Sequence, residues 1–471
     1  MFLSAIEPLT AFRGRKVTVM GLGLFGGGKG LTEFLCRLGA EVTVTDQRPE
    51  AILEPTLREL RHLPVRWVLG EHREADFTGA DLVLPSPAVP REAPLLRLCR
   101  ERGIPLETEM NLFFKHCRGR IAAVTGANGK TTTTSLTGAM ARRRWPATRA
   151  GGNLGRSLLP EVESIAPGEW VVLELSSFQL EDLAAIDRRP EVSVVTNLSP
   201  NHLDRHGTYE AYVEAKRQIV RRGPPPNVAV LNGEDPLVRS WAAEPRAALF
   251  FGRTGTVTPR APGVWLDEAR GEVALSRGSE RTSLFAATAL RLPGRFNLLN
   301  AAAAAAAASA MGVAPAEIAA AVADFQAVEH RLEPVAEVDG VAYLNDSIAT
   351  TPESTIAAIE ALGPRLIIIC GGSRKGCSFS TLGRLLARRT RGAVLLGETA
   401  AAIRAAIPER PGGAPVRMAR DLEEAVAMAR EMARPGDRVI LSPACPSFDM
   451  FVNFEDRGRR FKEIARRLAG A

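Results

Sequence analysis

IAAVTGANGKTT, residues Ile121 to Thr132, is the stretch whose reading decides the fold: an apolar run leads into a glycine-rich turn, and a helix-compatible segment follows. Strand, glycine turn and helix in that order form the setting in which such a string cradles phosphate. Gly126 and Gly129 let backbone N–H groups approach a polyphosphate because no Cβ intervenes, and Ala127 and Asn128 complete the loop between them. Lys130 supplies a positive charge, Thr131 a hydroxyl that can ligate Mg²⁺, and Thr132 the next position of the first helical turn. The common P-loop spacing would put a glycine at position 124, which here is Val124, so the loop is a shortened relative of that motif.

Outward from the loop, the chain alternates strands and helical patterns in three segments. The first has a strand at Lys16 to Met20, then GLGLFG (Gly21 to Gly26), a helix, and a strand at Glu41 to Thr45 ending in Asp46. This matches G-x-G-x-x-G with an acid about twenty residues on, the pattern of a dinucleotide fold. The turn could bind NAD, bind another nucleotide, or only pack a helix on a sheet. A strand at Asp81 to Leu84 leads into Pro85-Ser86-Pro87. The second segment, from Glu109, adds strands at Trp170 to Leu173, ending in Glu174, and at Val192 to Thr196, ending in Asn197. Polar groups at the C-terminal ends of successive strands mark the ligand edge of an open α/β sheet. Gly252 to Pro293 reads as short irregular hairpins. The third segment, from Val328, again alternates strands (Val341 to Leu344, Leu366 to Cys370, Ala393 to Leu396, Arg438 to Leu441) with helices.

Composition narrows the function. A length of 471 residues exceeds one core and predicts about three domains. The start, MFLSAIEPLT, lacks the basic head of a signal peptide and is interrupted by Glu7 and Pro8. Phe296 to Ala316 is uncharged and long, but its alanines, Asn297, Asn300 and Pro315 predict a tightly packed helix of a soluble protein and no membrane insertion. Six cysteines without a C-x-x-C pair argue against a zinc ribbon or disulfide framework and fit a reducing cytoplasm. A net charge of +7 is not organised into basic runs interleaved with aromatics, so nucleic acid is not the expected partner. Among 60 Lys and Arg residues only seven are lysine, and Lys130, Lys216 and Lys375 all fall beside other chemically active groups.

Further groups carry chemistry. Glu174 stands where a phosphate loop needs a carboxylate near its Mg²⁺. His202, Asp204 and His206 spell H-x-D-x-H, but with no third ligand of clear type the expectation is one histidine near the reaction centre, not zinc, or a plain surface loop. Tyr209, Tyr212, Val213, Lys216, Ile219 and Val220 share one helical stripe, so Lys216 lies on an apolar face. It could snorkel outward. A desolvated lysine instead has a lowered pKa, and its neutral amine could act as a base or take up carbon dioxide as a carbamate, an oxygen-rich metal ligand. Asn297, Asn300 and His330-Arg331 flank the second junction, where domains closing over a nucleotide need polar groups; helix caps and a surface ion pair account for them equally.

Taken together, GLGLFG, TGANGKTT, GGNLG at Gly151, ELSSFQL at Glu174, NHLDRHGTYEAYVEAK, LPGRFNLLNA, HRLE, NDSIATTPEST, GGSRKG and LSPACPSFDMFVNFEDRG resemble the Mur ligase family along essentially the whole chain. The resemblance implies an α/β protein of three domains. These are a Rossmann-like UDP-substrate domain (1–108), a central P-loop ATPase-type domain (109–327) and a C-terminal Rossmann-like amino-acid domain (328–471). It implies ATP and Mg²⁺, with Lys130 and Thr131 at the phosphates and metal, Glu174 and His202 as magnesium ligands, and Lys216 as a carbamylated lysine. Asn297, Asn300, His330 and Asp346 match ATP-contacting or catalytic-centre positions. Leu22, Asp46, Arg48, Ser86 and Asn153 match UDP-substrate positions, and Arg331, Thr350, Lys375, Ser447 and Phe454 the glutamate pocket. The GxGxxG turn would then serve UDP and not NAD.

The activity so implied is cytoplasmic and ATP-dependent: D-glutamate is joined to UDP-N-acetylmuramoyl-L-alanine through an acyl phosphate by a monomeric enzyme of peptidoglycan synthesis. One departure stands out. Position 348 is Ile where many of these ligases carry lysine, and some relatives with an uncharged residue there attach L-glutamate, so the enantiomer is open. Another amino acid, as in a different Mur or folylpolyglutamate-type ligase, is a second reading; an NAD-dependent oxidoreductase leaves the phosphate loop unexplained, and a nucleotide-sensing module predicts no turnover.

Overall fold

The computed structural model describes residues 7–470 except 24–25, 222, 224–226, 256–260, 293, 375–376 and 410–413; the side chain of Asp204 is likewise outside the description. Among the described residues three sheets carry the fold. Residues 1–290 with 298–324 form one compact unit, and residues 291–297 with 325–471 a second.

In the first unit, β1 (Lys16–Met20), β2 (Glu41–Asp46), β3 (Val65–Leu69) and β4 (Leu82–Pro85) make a parallel sheet in the order β3-β2-β1-β4. That is the order of a mononucleotide-binding half, with a crevice where the chain reverses between β1 and β4. The same unit holds β5 (Arg120–Thr125), β6 (Arg149–Gly152), β7 (Trp170–Glu174), β8 (Val192–Val195), β9 (Val228–Asn232), β10 (Ala247–Arg253), β11 (Gly263–Asp267), β12 (Glu272–Arg277) and β13 (Glu280–Ala286). These nine form a sheet in the order β13-β12-β11-β10-β9-β8-β5-β7-β6. Strands β5, β7 and β8 are parallel and buried nearly end to end, as strands covered on both faces must be. One apolar core runs from Val19 and Leu84 of the first sheet, with Phe12 just before it in the chain, to Ile121, Leu173 and Trp241 around the second.

The stretch expected as irregular hairpins is more regular than its glycines and prolines suggest. β10 pairs in parallel with β9 and β11, and β11, β12 and β13 continue as antiparallel hairpins, so the segment extends the central sheet. β13 is its last strand, and Glu280, Arg281, Thr282 and Ser283 are all exposed. The alanine-rich segment forms the helix Arg295–Met311, within which Ala301 to Ala308 are fully buried. Among the described residues no helix is long and apolar enough to cross a membrane.

The second unit has β14 (Glu333–Val338), β15 (Val341–Asn345), β16 (Leu366–Cys370), β17 (Gly392–Leu395), β18 (Val416–Met418) and β19 (Arg438–Leu441) in the order β14-β15-β19-β16-β17-β18. Only β14 runs antiparallel to its neighbour. The sheet is covered on its two faces by separate apolar clusters, one around Ile368 and Leu382, the other around Ile369 and Phe461.

Candidate active site

In the first unit the site begins where β5 ends. Gly126 (φ 149°) and Gly129 (φ 81°) adopt backbone conformations that favour glycine. A Cβ on Gly126 would lie 1.9 Å from Thr196 Oγ1, and one on Gly129 2.2 Å from Asn300 Oδ1, so neither position admits a side chain. Helix Lys130–Arg144 starts from Gly129 without a side-chain cap, which leaves its first N–H groups and the positive end of its dipole for an anion. The loop is pinned to the end of β8: Asn197 Oδ1 accepts from Asn128 N (3.0 Å), Thr196 Oγ1 donates to Asn128 O (2.6 Å), and Ala127 N donates to Asn197 O (2.8 Å). Lys130 Nζ lies over the loop, donating to Gly126 O (3.1 Å) and Ala127 O (2.9 Å). Thr132, next along the helix, is buried.

Two oxygen donors stand together beside the loop. Thr131 Oγ1 donates to Glu174 Oε2 (2.8 Å), while Asn153 Nδ2 donates to Glu174 Oε1 (2.8 Å). Lys216 is 2% exposed, and its Nζ donates to Thr125 Oγ1 (3.1 Å) and lies 4.9 Å from the centre of the Tyr212 ring. Burial, reinforced by the charge of Lys130 and only partly opposed by Glu174, drives its pKa well below the ordinary lysine value. The apolar stripe thus buries the amine and does not let it snorkel. Helix Tyr209–Arg217 that presents it is capped by Thr208, whose hydroxyl accepts from Ala211 N. His202 has a left-handed backbone (φ 53°) and meets the Phe178 ring edge-on at 5.1 Å, and His206 stacks on the same ring and reaches Ser177 Oγ at 2.9 Å. Both histidines therefore line the helix that begins three residues beyond Glu174.

The crevice of the N-terminal sheet gathers four predicted residues. A Cβ on Gly21 would lie 3.0 Å from Ser86 Cβ, so the turn after β1 and the loop after β4 are in contact. Asp46, at the end of β2, is held by Arg48 (2.9 Å) and by Gly23 N (3.3 Å). Burial raises its pKa, but the hydrogen bonds and charge of Arg48 outweigh that and hold the carboxyl below its usual range. The side chain of Leu22 is 1% exposed and belongs to the core. Asn153 is hydrogen-bonded to Glu174, in a turn whose Gly155 meets Gly26 at the end of the Gly21–Gly26 turn.

In the second unit the ends of β15 and β19 form another polar cluster. Asp346 accepts from Ser442 Oγ (2.8 Å) and Leu332 N (3.2 Å). Burial, against the smaller pull of Ser442 and Arg331, pushes its pKa up to about 7. His330 (φ 63°) accepts from Asn345 Nδ2 at 2.9 Å, meets the Phe454 ring at 6.0 Å, and is kept below its ordinary pKa by burial. Arg457, which the sequence reading missed although it is the next-to-last residue of the quoted LSPACPSFDMFVNFEDRG, donates to Ser347 Oγ (3.0 Å), Ser347 O (2.9 Å) and Cys445 O (3.1 Å). It clamps the loop holding Thr350 to the loop holding Ser447, whose Oγ is a buried hydroxyl with no hydrogen-bond partner among the described residues. Asn297 is buried and counts with this unit; Asn300 counts with the first. Lys375 lies outside the described residues.

The donor set can be tested against the implied cofactors. A hydroxyl and a carboxylate 2.8 Å apart, where the phosphate loop passes into its helix, are hard oxygen ligands, suited to Mg²⁺ that keeps waters and phosphate oxygens for its other positions. Among the described residues no three His, Cys, Asp or Glu side chains converge as a closed metal cage would require.

A phosphate loop on a parallel sheet, an adjoining hydroxyl–carboxylate pair and a desolvated lysine define the class of α/β proteins built to hold a nucleoside triphosphate. Comparison with known proteins narrows the class. Residues 15–107 match the Mur ligase MurD-like N-terminal domain, 124–308 the Mur ligase middle domain and 330–445 the Mur ligase glutamate ligase domain. The UDP-N-acetylmuramoylalanine–D-glutamate ligase of Roseiflexus sp. (strain RS-1) is 42% identical over 469 residues, covering 96% of this chain and 98% of that protein. Its namesake from Symbiobacterium thermophilum is 40% identical over 455 residues, covering 96% and 98%. The crystal structure of a MurF ligase from Thermotoga maritima in complex with ADP shares the fold, with a TM-score of 0.58 at 19% identity over 99% of this chain and 98% of that one. The chain belongs to the Mur ligase family and is an ATP-dependent amide-forming ligase of peptidoglycan synthesis.

Proposed function

We propose that the enzyme joins D-glutamate to the alanine carboxylate of UDP-N-acetylmuramoyl-L-alanine, in the cytoplasm, as a monomer, with domains at 1–108, 109–327 and 328–471. The observation that carries this reading is the Thr131–Glu174 pair at the mouth of the Gly126–Gly129 loop, with the buried Lys216 amine behind it.

The chemistry follows from charge. A carboxylate resists nucleophilic attack, so the alanine carboxylate first accepts the γ-phosphoryl group of ATP to become an acyl phosphate. Backbone N–H groups of Gly126 to Gly129 and the ammonium of Lys130 hold and neutralise the phosphates, with Asn300 against the loop and Asn297, His330 and Asp346 as further nucleotide positions. Thr131, Glu174, His202 and a carbamate on Lys216 would hold Mg²⁺, which when bound supplies Lewis-acid stabilisation of phosphoryl charge. Leu22 through its backbone, Asp46, Arg48, Ser86 and Asn153 orient the nucleotide sugar; Arg331, Thr350, Lys375, Ser447 and Phe454 orient glutamate. Its amine then attacks the acyl carbon, a tetrahedral intermediate collapses, and phosphate leaves to give the amide.

Use of L-glutamate is the second reading, favoured by the uncharged Ile348 in the loop after β15. Purified enzyme given ATP, Mg²⁺, UDP-N-acetylmuramoyl-L-alanine and each glutamate enantiomer separately should form product of the added glutamyl mass with the D form. Product from the L form alone would replace the first reading by the second, and product from neither would remove both.

A further inference from the structure

The turn after β6 reaches the carboxylate proposed for the metal. Gly152 is left-handed (φ 85°), and a Cβ there would lie 2.5 Å from Glu174 O, so the backbone of the turn rests directly on that of Glu174. Asn153 N donates to Glu174 O (2.9 Å), and Asn153 Nδ2 donates to Glu174 Oε1 (2.8 Å). Oε2 of the same carboxylate accepts from Thr131 Oγ1 (2.8 Å). The turn is closed by Gly152 N donating to Arg156 O (3.0 Å). Its tip is braced from outside, since a Cβ on Gly26 would lie 2.4 Å from Gly155 O.

From this geometry we infer that Asn153 is a positioning residue for Glu174: it occupies Oε1 and fixes the carboxylate plane, so that Oε2 is the oxygen presented to Thr131 and to a divalent cation. The inference rests on the proposed role of Glu174 and adds a role for Asn153 that a contact to the nucleotide sugar does not require. An unbraced carboxylate rotates about its terminal bond and spreads its two oxygens over many directions. A donor on one oxygen, itself held by two backbone contacts, removes that freedom, as outer hydrogen bonds do for metal ligands generally.

The test is Mn²⁺ binding to the full chain in the presence of ADP, followed by the loss of the free-ion electron spin resonance signal. Asn153→Ala should weaken Mn²⁺ about tenfold or more, with affinity for ADP in EDTA and the melting temperature unchanged. Asn153→Ser is the second variant should alanine unsettle the turn, and it should weaken Mn²⁺ likewise. In a Glu174→Gln background the same substitutions should have no further effect, because the residue acts through that carboxylate. Unchanged Mn²⁺ affinity, or an equal loss in the Glu174→Gln background, would each overturn the inference. Turnover plays no part in this readout, so failure to form any glutamyl product would count against the proposed reaction alone.

Discussion

Lys216 and Asp346 are both buried, with pKa values moved toward the uncharged form, and both fall at positions proposed for catalysis. Such arrangements cost stability and persist where function uses them. Because burial and Lys130 depress the Lys216 pKa, more of its amine is neutral and open to carbon dioxide than in an exposed lysine. Lys216→Ala should therefore lose at least about a hundredfold in kcat, on the scale of removing a metal-holding group, and short carboxylic acids should restore part of it. Failure of rescue in a folded variant would count against the carbamate. Asp346 behaves oppositely. Its carboxyl titrates near 3.8 when exposed but about 7 in place, so between these values the folded chain holds a proton the unfolded chain has released. Stability is then greatest below pH 4 as far as this group is concerned and falls as pH rises to 7, by on the order of 4 kcal/mol at most. Asp346→Asn, which keeps partners for Ser442 and Leu332, should flatten the decline of melting temperature between pH 5 and 8; an unchanged slope would remove Asp346 as its cause.

At the scale of elements, the phosphate loop shows why some of the site was legible. Its glycines are demanded locally, by left-handed backbone and by the approach of Thr196 and Asn300, so the string itself announces them. Gly129→Ala meets both obstacles, and ADP affinity should fall by more than about tenfold, at 1.4 kcal/mol per decade, in a calorimetric titration. The Lys216 stripe was legible for a similar reason, since helical period alone puts it on the buried face. Partners distant in sequence were not: nothing in Thr125 announces Lys216 91 residues on, and Asn153 reads as an ordinary turn residue until β6 and β7 are paired. The strands β10 to β13 were obscured because glycine and proline mark chain reversal, and reversal between regular strands looks the same as irregularity. Arg457 belongs to the same group, its effect being visible only once two loops meet. Its removal as Arg457→Met leaves carbonyls without donors, each costing about 1–3 kcal/mol, and should raise the KM for glutamate far more than that for ATP. Lysine at 457 should recover little, since it lacks the planar fork; equal effects on both KM values would make the clamp a matter of folding alone.

Across the whole molecule, the first two sheets share one apolar core, and charge is buried beside it as an ion pair. Glu107 and Lys115 form such a pair with neither side chain more than 4% exposed. Lys115→Met would strand the carboxylate and should cost about 3–5 kcal/mol, seen as a lower melting temperature. Changing Glu107 to Gln in the same chain should recover most of it, and no recovery would mean the lysine contributes through packing alone. The central sheet ends at β13, where a row of backbone donors and acceptors could template a second molecule. Glu280 and Arg281 stand exposed on that strand, and Arg281 is tied to Asp267 and Glu272 beside it. A neighbouring chain adding itself there would have to strip water from this ionic fringe. The fringe is thus a guard on colloidal behaviour, one that a pair of valines would dismantle without touching any part of the machinery for making amides.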